Sequence, residues 1–370
     1  MVNKFLCDLF RTSFTTLKVP CECPYDESIP PTRLERAFAA FPNADALTLF
    51  GKSSVRALKD ICNSNLPGLT GCIFNLSVEK EDFDMDDVYD VNLVPLQNLR
   101  ILCLNGSSIK GLPQLPSSLQ VLFLKDVDLS AIREDELPQG LRHLYLEWLN
   151  ELTEIPIHLP SELRTLWIWG CENLDVNAMD MLLDNLPPRL EVLSLSFMDF
   201  NKNCILAEER LPLWPVSLHT LNLRKTWSIE KDGICPPSLK ILILDEINDV
   251  HGLRLPEDLK YFYYSPLRDE EESEIFEFPP PGVRLPESIR TLDICDVQKA
   301  READVYLPNL KRVYVCDVSD EVKSCLSRST NNSFQIYPIA DRMEISYYRM
   351  IYTESPSNLD ELREKHGEDC

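Results

Sequence analysis

From Leu99 onward the apolar positions fall into one repeated phrase. Leu99-x-x-Leu102-x-Leu104 is followed by Leu119-x-x-Leu122-x-Leu124, Leu141-x-x-Leu144-x-Leu146 and Leu163-x-x-Leu166-x-Ile168. Further anchors stand at Leu190, Leu218, Leu239, Leu259, Ile289 and Leu310, so successive anchors are separated by 20, 22, 22, 27, 28, 21, 20, 30 and 21 residues. Within the phrase the last two apolar positions alternate with variable ones, the period of a strand. A strand recurring every 20 to 30 residues can bury its apolar face only against the next copy, so the pattern predicts a solenoid of stacked parallel strands. Looser copies come earlier, at Phe14-x-x-Leu17-x-Val19, Ala44-x-x-Leu47-x-Leu49 and Leu69-x-x-Cys72-x-Phe74.

A coil of 20 to 22 residues leaves too little chain for a helix once the strand and its two turns are counted. The return segment should instead be extended, and a proline three residues before most anchors (Pro116, Pro138, Pro160, Pro187, Pro215, Pro236, Pro256, Pro286) fits a polyproline-like outer face. Longer coils leave room for short helices. Asp175 to Leu186 has helical spacing at Val176, Met179, Leu182 and Leu183, and Thr32 to Glu35 reads as a capping box before an amphipathic run to Phe41. Residues 3–11 read as a capping helix, Phe334 to Ile336 and Met343 to Tyr352 as closing strands, and Ser357 to Lys365 as a polar helix. The expected organisation is a cap over 1–13, degenerate coils over 14–94, the array proper over 95–320 and a closing cap with a polar tail over 321–370.

The join Leu112-Pro-Gln-Leu-Pro116-Ser-Ser-Leu119 and the phased phrase together resemble leucine-rich repeats, most of all the short Leu-Pro-x-x-Leu-x-x-Leu-x-Leu class of bacterial effectors. The resemblance implies an α/β fold: a single curved solenoid, a parallel sheet on the concave face, and a mostly irregular convex side with a few short helices. It also implies protein binding on the concave face. The chain departs from the family at the position of the usual buried asparagine, which is occupied by Val127, Leu149, Cys171, Ile247, Val297 and Val318 among others. Some effectors of this class end in a ubiquitin-ligase domain, and too few residues follow the last coil here to hold one. Family analogy offers a second reading, the substrate-receptor subunit of a ubiquitin ligase complex. That role calls for a helical adaptor-binding segment ahead of the repeats, which the short, strand-like opening does not show.

Composition narrows the partner. The chain has 60 acidic and 37 basic side chains, a net charge of −23, which repels phosphate backbones and anionic lipid. With no run of basic residues, neither nucleic acid nor membrane is expected to bind. No apolar run is long enough to span a bilayer, and the opening lacks a signal-peptide core. The thirteen cysteines lack zinc-ligand spacing and suit reduced thiols, so a cytoplasmic or nuclear setting is expected. Asp82-x-Asp84-x-Asp86 copies the start of a calcium loop but lacks its glycine and closing glutamate, and reads as a solvated acidic loop. A second acidic insertion, 268–283, should be mobile or extended and reads as a passive surface insertion; the alternative reading makes Ile275, Phe276 and Phe278 anchors for a basic partner. Phosphate-loop, dinucleotide, nucleophile-elbow and zinc-protease motifs are all missing, so no catalysis, cofactor or metal is expected, and the chain is expected to act as a monomer.

Numbering the phrase from its first leucine, positions 4 and 6 should face the core, while positions 3, 5 and 7 face the concave side. Position 5 then sets Phe123, Tyr145 and Trp167 in a row, with Trp169 beside it at position 7. Solvent-facing aromatics on that scale mark an interaction surface. His143, Glu147, Arg224, Asp245 and Tyr263 share the same register and complete the expected partner-binding residues, for a protein partner with a basic rim around an apolar centre.

Overall fold

A computed structural model of the chain describes residues 15–20, 44–50, 69, 71–75, 92–106, 111–174, 176–196, 206, 213–225, 232–247, 250–266, 276–301, 305–328 and 335–338. The chain forms two units, one from residues 1–201 with 213–218, the other from 202–212 with 219–370.

In the first unit the described strands are β1 (Thr15–Pro20), β2 (Ala44–Phe50), β3 (Gly71–Asn75), β4 (Ile101–Asn105), β5 (Val121–Lys125), β6 (His143–Glu147), β7 (Thr165–Trp169) and β8 (Val192–Ser196). Each pairs in parallel with the next, and from β4 onward each spans phrase positions 3 to 7. The register is the one the phrase demands, with Leu122, Leu144, Leu166 and Leu193 side by side. These leucines and those at position 6 are at most 1% exposed. Burying each stabilises the stack by about 1.5–3 kcal/mol. This is a leucine-rich-repeat ladder with a parallel sheet and little helix.

Two corners hold each coil. The proline upstream of the anchor begins a tight turn whose last N–H, on the anchor itself, donates back to the proline carbonyl: Leu119 to Pro116 at 3.1 Å, Leu141 to Pro138 at 3.0 Å, Leu163 to Pro160 at 3.0 Å. Proline thus opens the turn into the strand. At position 8, where the chain leaves the sheet, the backbone is left-handed: Asp126 has φ 52°, Trp148 55° and Gly170 66°. The N–H of that residue extends the ladder, from Asp126 to the Glu147 carbonyl and from Trp148 to the Trp169 carbonyl. At position 9 the missing asparagine is replaced by apolar filling, with Val127, Leu149 and Cys171 buried. The longer coil before β8 carries α1 (Val176–Asp184), which buries Met179, Leu182 and Leu183.

The second unit repeats the plan. Its strands are β9 (Thr220–Arg224), β10 (Ile241–Ile247), β11 (Tyr261–Pro266), β12 (Glu277–Phe278), β13 (Thr291–Cys295), β14 (Lys299–Ala300), β15 (Arg312–Cys316) and β16 (Gln335–Pro338). β9, β10, β11, β13, β15 and β16 form the parallel ladder, and β12 pairs with β14. Helix α2 (Asp320–Arg328) starts where the Ser319 Oγ accepts the Val322 N–H at 3.3 Å. Its acids stand in the first turn and Arg328 in the last, as the helix dipole favours.

The acidic insertion departs from expectation over its described half, 276–283. Phe278, an anchor only in the alternative reading of this insertion, is 1% exposed because β12 is pinned to β14, and Val283 is fully buried. Residues 268–275, the capping helices expected over 3–11 and 32–41, the Asp82 loop and everything beyond 338 lie outside the described residues.

Candidate functional site

In the first unit the aromatic row expected from sequence is assembled. Phe123 and Tyr145 lie with ring centroids 5.9 Å apart, Tyr145 and Trp167 6.4 Å, and Trp167 and Trp169 5.8 Å. The rings are tilted to one another, the arrangement aromatic pairs prefer, which adds about 0.5–1.5 kcal/mol per pair beyond area burial. Strand pairing sets them in adjacent coils at one register, Phe123 beside Tyr145 beside Trp167.

Exposure is where the structure corrects the sequence. Phe123 and Trp167 are each only 4% exposed, and Glu147 3%, although all three point away from the leucine core. Alternation fixes which face a side chain takes but not how far its neighbours shade it. Strands about 4.8 Å apart bring large rings into mutual cover, and Ser194 and Ser196, in register with Trp167 and Trp169, lie in their shade. Of the expected residues in this unit, Tyr145, His143 and Trp169 remain half-buried.

Sequence reasoning missed Trp148. It stands at position 8 in left-handed backbone, 36% exposed, with its ring centroid 6.4 Å from that of Trp169. Its ring also lies over Gly170, where an added Cβ would come within 2.5 Å of the Trp148 Cε3. Gly170, itself at φ 66°, answers both the backbone and the ring. The signal was a bulky aromatic at one strand exit with a glycine at the next.

Polar groups flank the row. The Lys125 Nζ donates to the Glu147 Oε1 at 3.0 Å, and burial raises the Glu147 carboxyl above its ordinary range against the pull of Lys125. The His143 Nδ1 lies 3.0 Å from the Thr165 Oγ1, and burial, seconded by Arg164, depresses the imidazole.

The second unit presents a different face. Arg224, Asp245 and Tyr263, expected as partner contacts, are 6%, 4% and 0% exposed. They satisfy one another instead. The Arg224 Nε is 3.2 Å from the Asp245 Oδ2, and the guanidinium donates to the Glu246 Oε1 at 3.0 Å. The Tyr263 hydroxyl donates to the Asp245 Oδ1 at 3.0 Å and lies 3.8 Å from the Cys295 Sγ, so it bridges the strands on either side of its own. Tyr261 donates to the Asp293 Oδ2 at 3.1 Å. Burial, then the charges of Asp245 and its neighbours, push the Tyr263 phenol well above its usual range. Such a layer holds the sheet face together, and these three residues are internal to it.

Among the described residues no group of three or more His, Cys, Asp or Glu side chains could hold a metal ion, and no helix is long and apolar enough to cross a membrane.

No protein-family model and no curated protein matches the sequence. Solved structures similar to it include YopM from Yersinia enterocolitica WA-314, at 21% identity over 69% of this chain and 54% of that one, with a TM-score of 0.35. An internalin, InlF, from Listeria monocytogenes str. 4b F2365 is similar at 14% identity over 77% of this chain and 83% of its own, TM-score 0.39. CroV588, described as a novel circular LRR protein, is similar at 17% identity over 82% of this chain and 53% of its own, TM-score 0.30. The chain spans about half the length of YopM and of CroV588.

Proposed function

We propose that this chain is a non-catalytic protein-interaction module, and that its first unit takes a protein or peptide partner on the sheet face around Trp148, Trp169 and Tyr145. The observation that supports this reading most directly is Trp148. A large apolar ring exposed to water, on a left-handed backbone that costs an L-residue about 1–2 kcal/mol, is a poor choice for stability alone. As the tip of an aromatic cluster whose inner members, Phe123 and Trp167, are locked by packing, it is a pre-organised anchor of the kind that dominates interfaces. His143 and Lys125 at the margin would add polar contacts, and the net charge of −23 favours a partner with a basic rim.

The test is affinity capture by the wild type and by a Trp148→Ala, Tyr145→Ala double variant, with the bound proteins compared by mass spectrometry. Trp167 is left in place, because removing a side chain so buried costs about 3–5 kcal/mol and confounds folding with binding. Loss of a discrete captured protein, with a cooperative melt and a circular dichroism spectrum showing that the variant is folded at the assay temperature, supports the reading. Capture of the same proteins by both forms refutes it.

A further inference from the structure

We propose that one edge of the second unit binds an acidic, extended peptide segment of a protein partner through a column of basic side chains that the coil register builds from residues 20 to 30 apart in sequence. The column stands at phrase position 2. In this unit it runs His219, Lys240, Lys260, Arg290 and Lys311, whereas Lys and Arg make up only 37 of the chain's 370 residues. A sequence scan for basic runs passes over it, because each cation sits alone beside its anchor leucine.

The backbone fixes the column. The carbonyl of each position-2 residue accepts two N–H groups from the next coil, at positions 2 and 3. His219 receives Lys240 at 2.8 Å and Ile241 at 3.0 Å, Lys240 receives Lys260 and Tyr261, Lys260 receives Arg290 and Thr291, and Arg290 receives Lys311 and Arg312. Four consecutive coils therefore hold Lys240, Lys260, Arg290 and Lys311 in register, about 14 Å from end to end at about 4.8 Å per coil. Arg290 and Lys311 are exposed, Lys240 and Lys260 half-exposed. Lys240 is engaged, with its Nζ 3.1 Å from the Asp258 Oδ2. Lys260, Arg290 and Lys311 make no ion pair among the described residues. In a chain carrying 23 surplus negative charges, three adjacent cations outside any ion pair, with only Asp258 drawing on Lys260, are a local concentration of positive charge.

The same surroundings select the ligand. Glu257, Asp258 and Glu287 stand one or two residues before the anchors, so an evenly charged polyphosphate laid along the edge would meet carboxylates as well as cations. Asp258 already feels both Lys240 and Lys260, which hold its carboxyl below the usual range. A peptide with carboxylates on alternate residues can place them between the lysines and set small side chains opposite the acids. At about 3.3 Å per residue, five or six extended residues cover the column.

The test is fluorescence anisotropy on the full chain with a labelled ten-residue peptide of alternating Glu and Ala. The same peptide with Lys for Glu and a ten-nucleotide single-stranded thymidine oligomer serve as comparisons. Saturable binding of the Glu peptide is expected, weakening at least fivefold between 50 and 300 mM salt. Lys260→Gln, Arg290→Gln, Lys311→Gln together should weaken it at least tenfold, while Arg142→Gln, Arg164→Gln in the first unit should leave it unchanged. These side chains lie at the surface, and an unchanged circular dichroism melt verifies the fold. Absence of Glu-peptide binding, equal binding by the triple variant, or tighter binding of the oligonucleotide through the same residues would each overturn the proposal. Since it involves the second unit alone, it stands or falls independently of the aromatic face.

Discussion

Replacing Gly170 with alanine tests the geometry around Trp148 more sharply than removing either tryptophan. The new Cβ would lie 2.5, 2.8 and 2.9 Å from the Cε3, Cζ3 and Cδ2 of the Trp148 ring. Those are three atoms of one rigid plane, so no rotation about the ring's own axis relieves all of them, and the indole must move by about 1 Å to reach ordinary contact. Two costs follow. Alanine at φ 66° carries the left-handed penalty of about 1–2 kcal/mol whatever surrounds it. The displaced indole loses its stacking on Trp169, about 0.5–1.5 kcal/mol. Gly170→Ala should therefore destabilise the wild type by about 1.5–3.5 kcal/mol, but by only about 1–2 kcal/mol in a Trp148→Ala background, where the ring is gone and the backbone cost remains. Urea unfolding of the four proteins, followed by far-ultraviolet circular dichroism, closes the cycle, and a coupling of about 0.5–1.5 kcal/mol is within its reach. The same Gly170→Ala cost in both backgrounds would mean that the Trp148 ring does not lie over Gly170, and the pre-organised anchor would go with it.

Because burial depresses His143, the unfolded chain takes up its proton first, so stability should fall as pH drops below 6.5, and His143→Gln should flatten that part of the stability profile. Burial pushes the Cys171 thiol up to about 12 and raises Cys235 and Cys295 as well; iodoacetamide at pH 8 should label Cys316 ahead of all three, as read by peptide mass spectrometry.

The phrase made most of the fold legible, since strict spacing of Leu102, Leu104 and their equivalents leaves one register in which every leucine is inside. β5 to β8 occupy the phrase positions read for them, and α1 lies within the helical stretch read from Met179, Leu182 and Leu183. α2 went unread: its apolar set, Val322, Cys325 and Leu326, is small and sits after the phrase has faded, with Ser319 as the one strong cue. The candidate site was legible as a placement and not as a surface. Phe123, Tyr145, Trp167 and Trp169 do line up, because register depends on spacing alone. Their exposure depends on the volumes of the side chains one coil away, which the phrase does not encode. The same limit hid the closure of Arg224, Asp245 and Tyr263 upon one another, and the basic column, whose members meet only when coils are stacked.

The left-handed residue that ends several of the described strands has a consequence for how such a chain can change. Asp126, Trp148, Lys225, Glu246, Asp296 and Asp317 all hold this corner without glycine. In each the backbone sets the bend, and for four of them the N–H also completes the ladder, with bond lengths of 2.8 to 3.0 Å for Asp126, Trp148, Lys225 and Asp296. Their side chains differ in cover, from Asp296 at 3% exposed to Trp148 at 36%. Glycine would relieve part of the strain at any of these corners, offset by the about 0.5–1 kcal/mol of chain entropy that glycine forfeits on folding. Among the other residues Asp and Asn bear the left-handed region best, and Asp holds three of the six corners. The corner thus carries charge or aromatic surface according to what the next coil offers: Trp148 has Gly170 under its ring, whereas Lys225 pairs with Glu246 at the following corner. Change at the rim of the coils therefore comes in neighbouring pairs, while the leucines inside stay fixed.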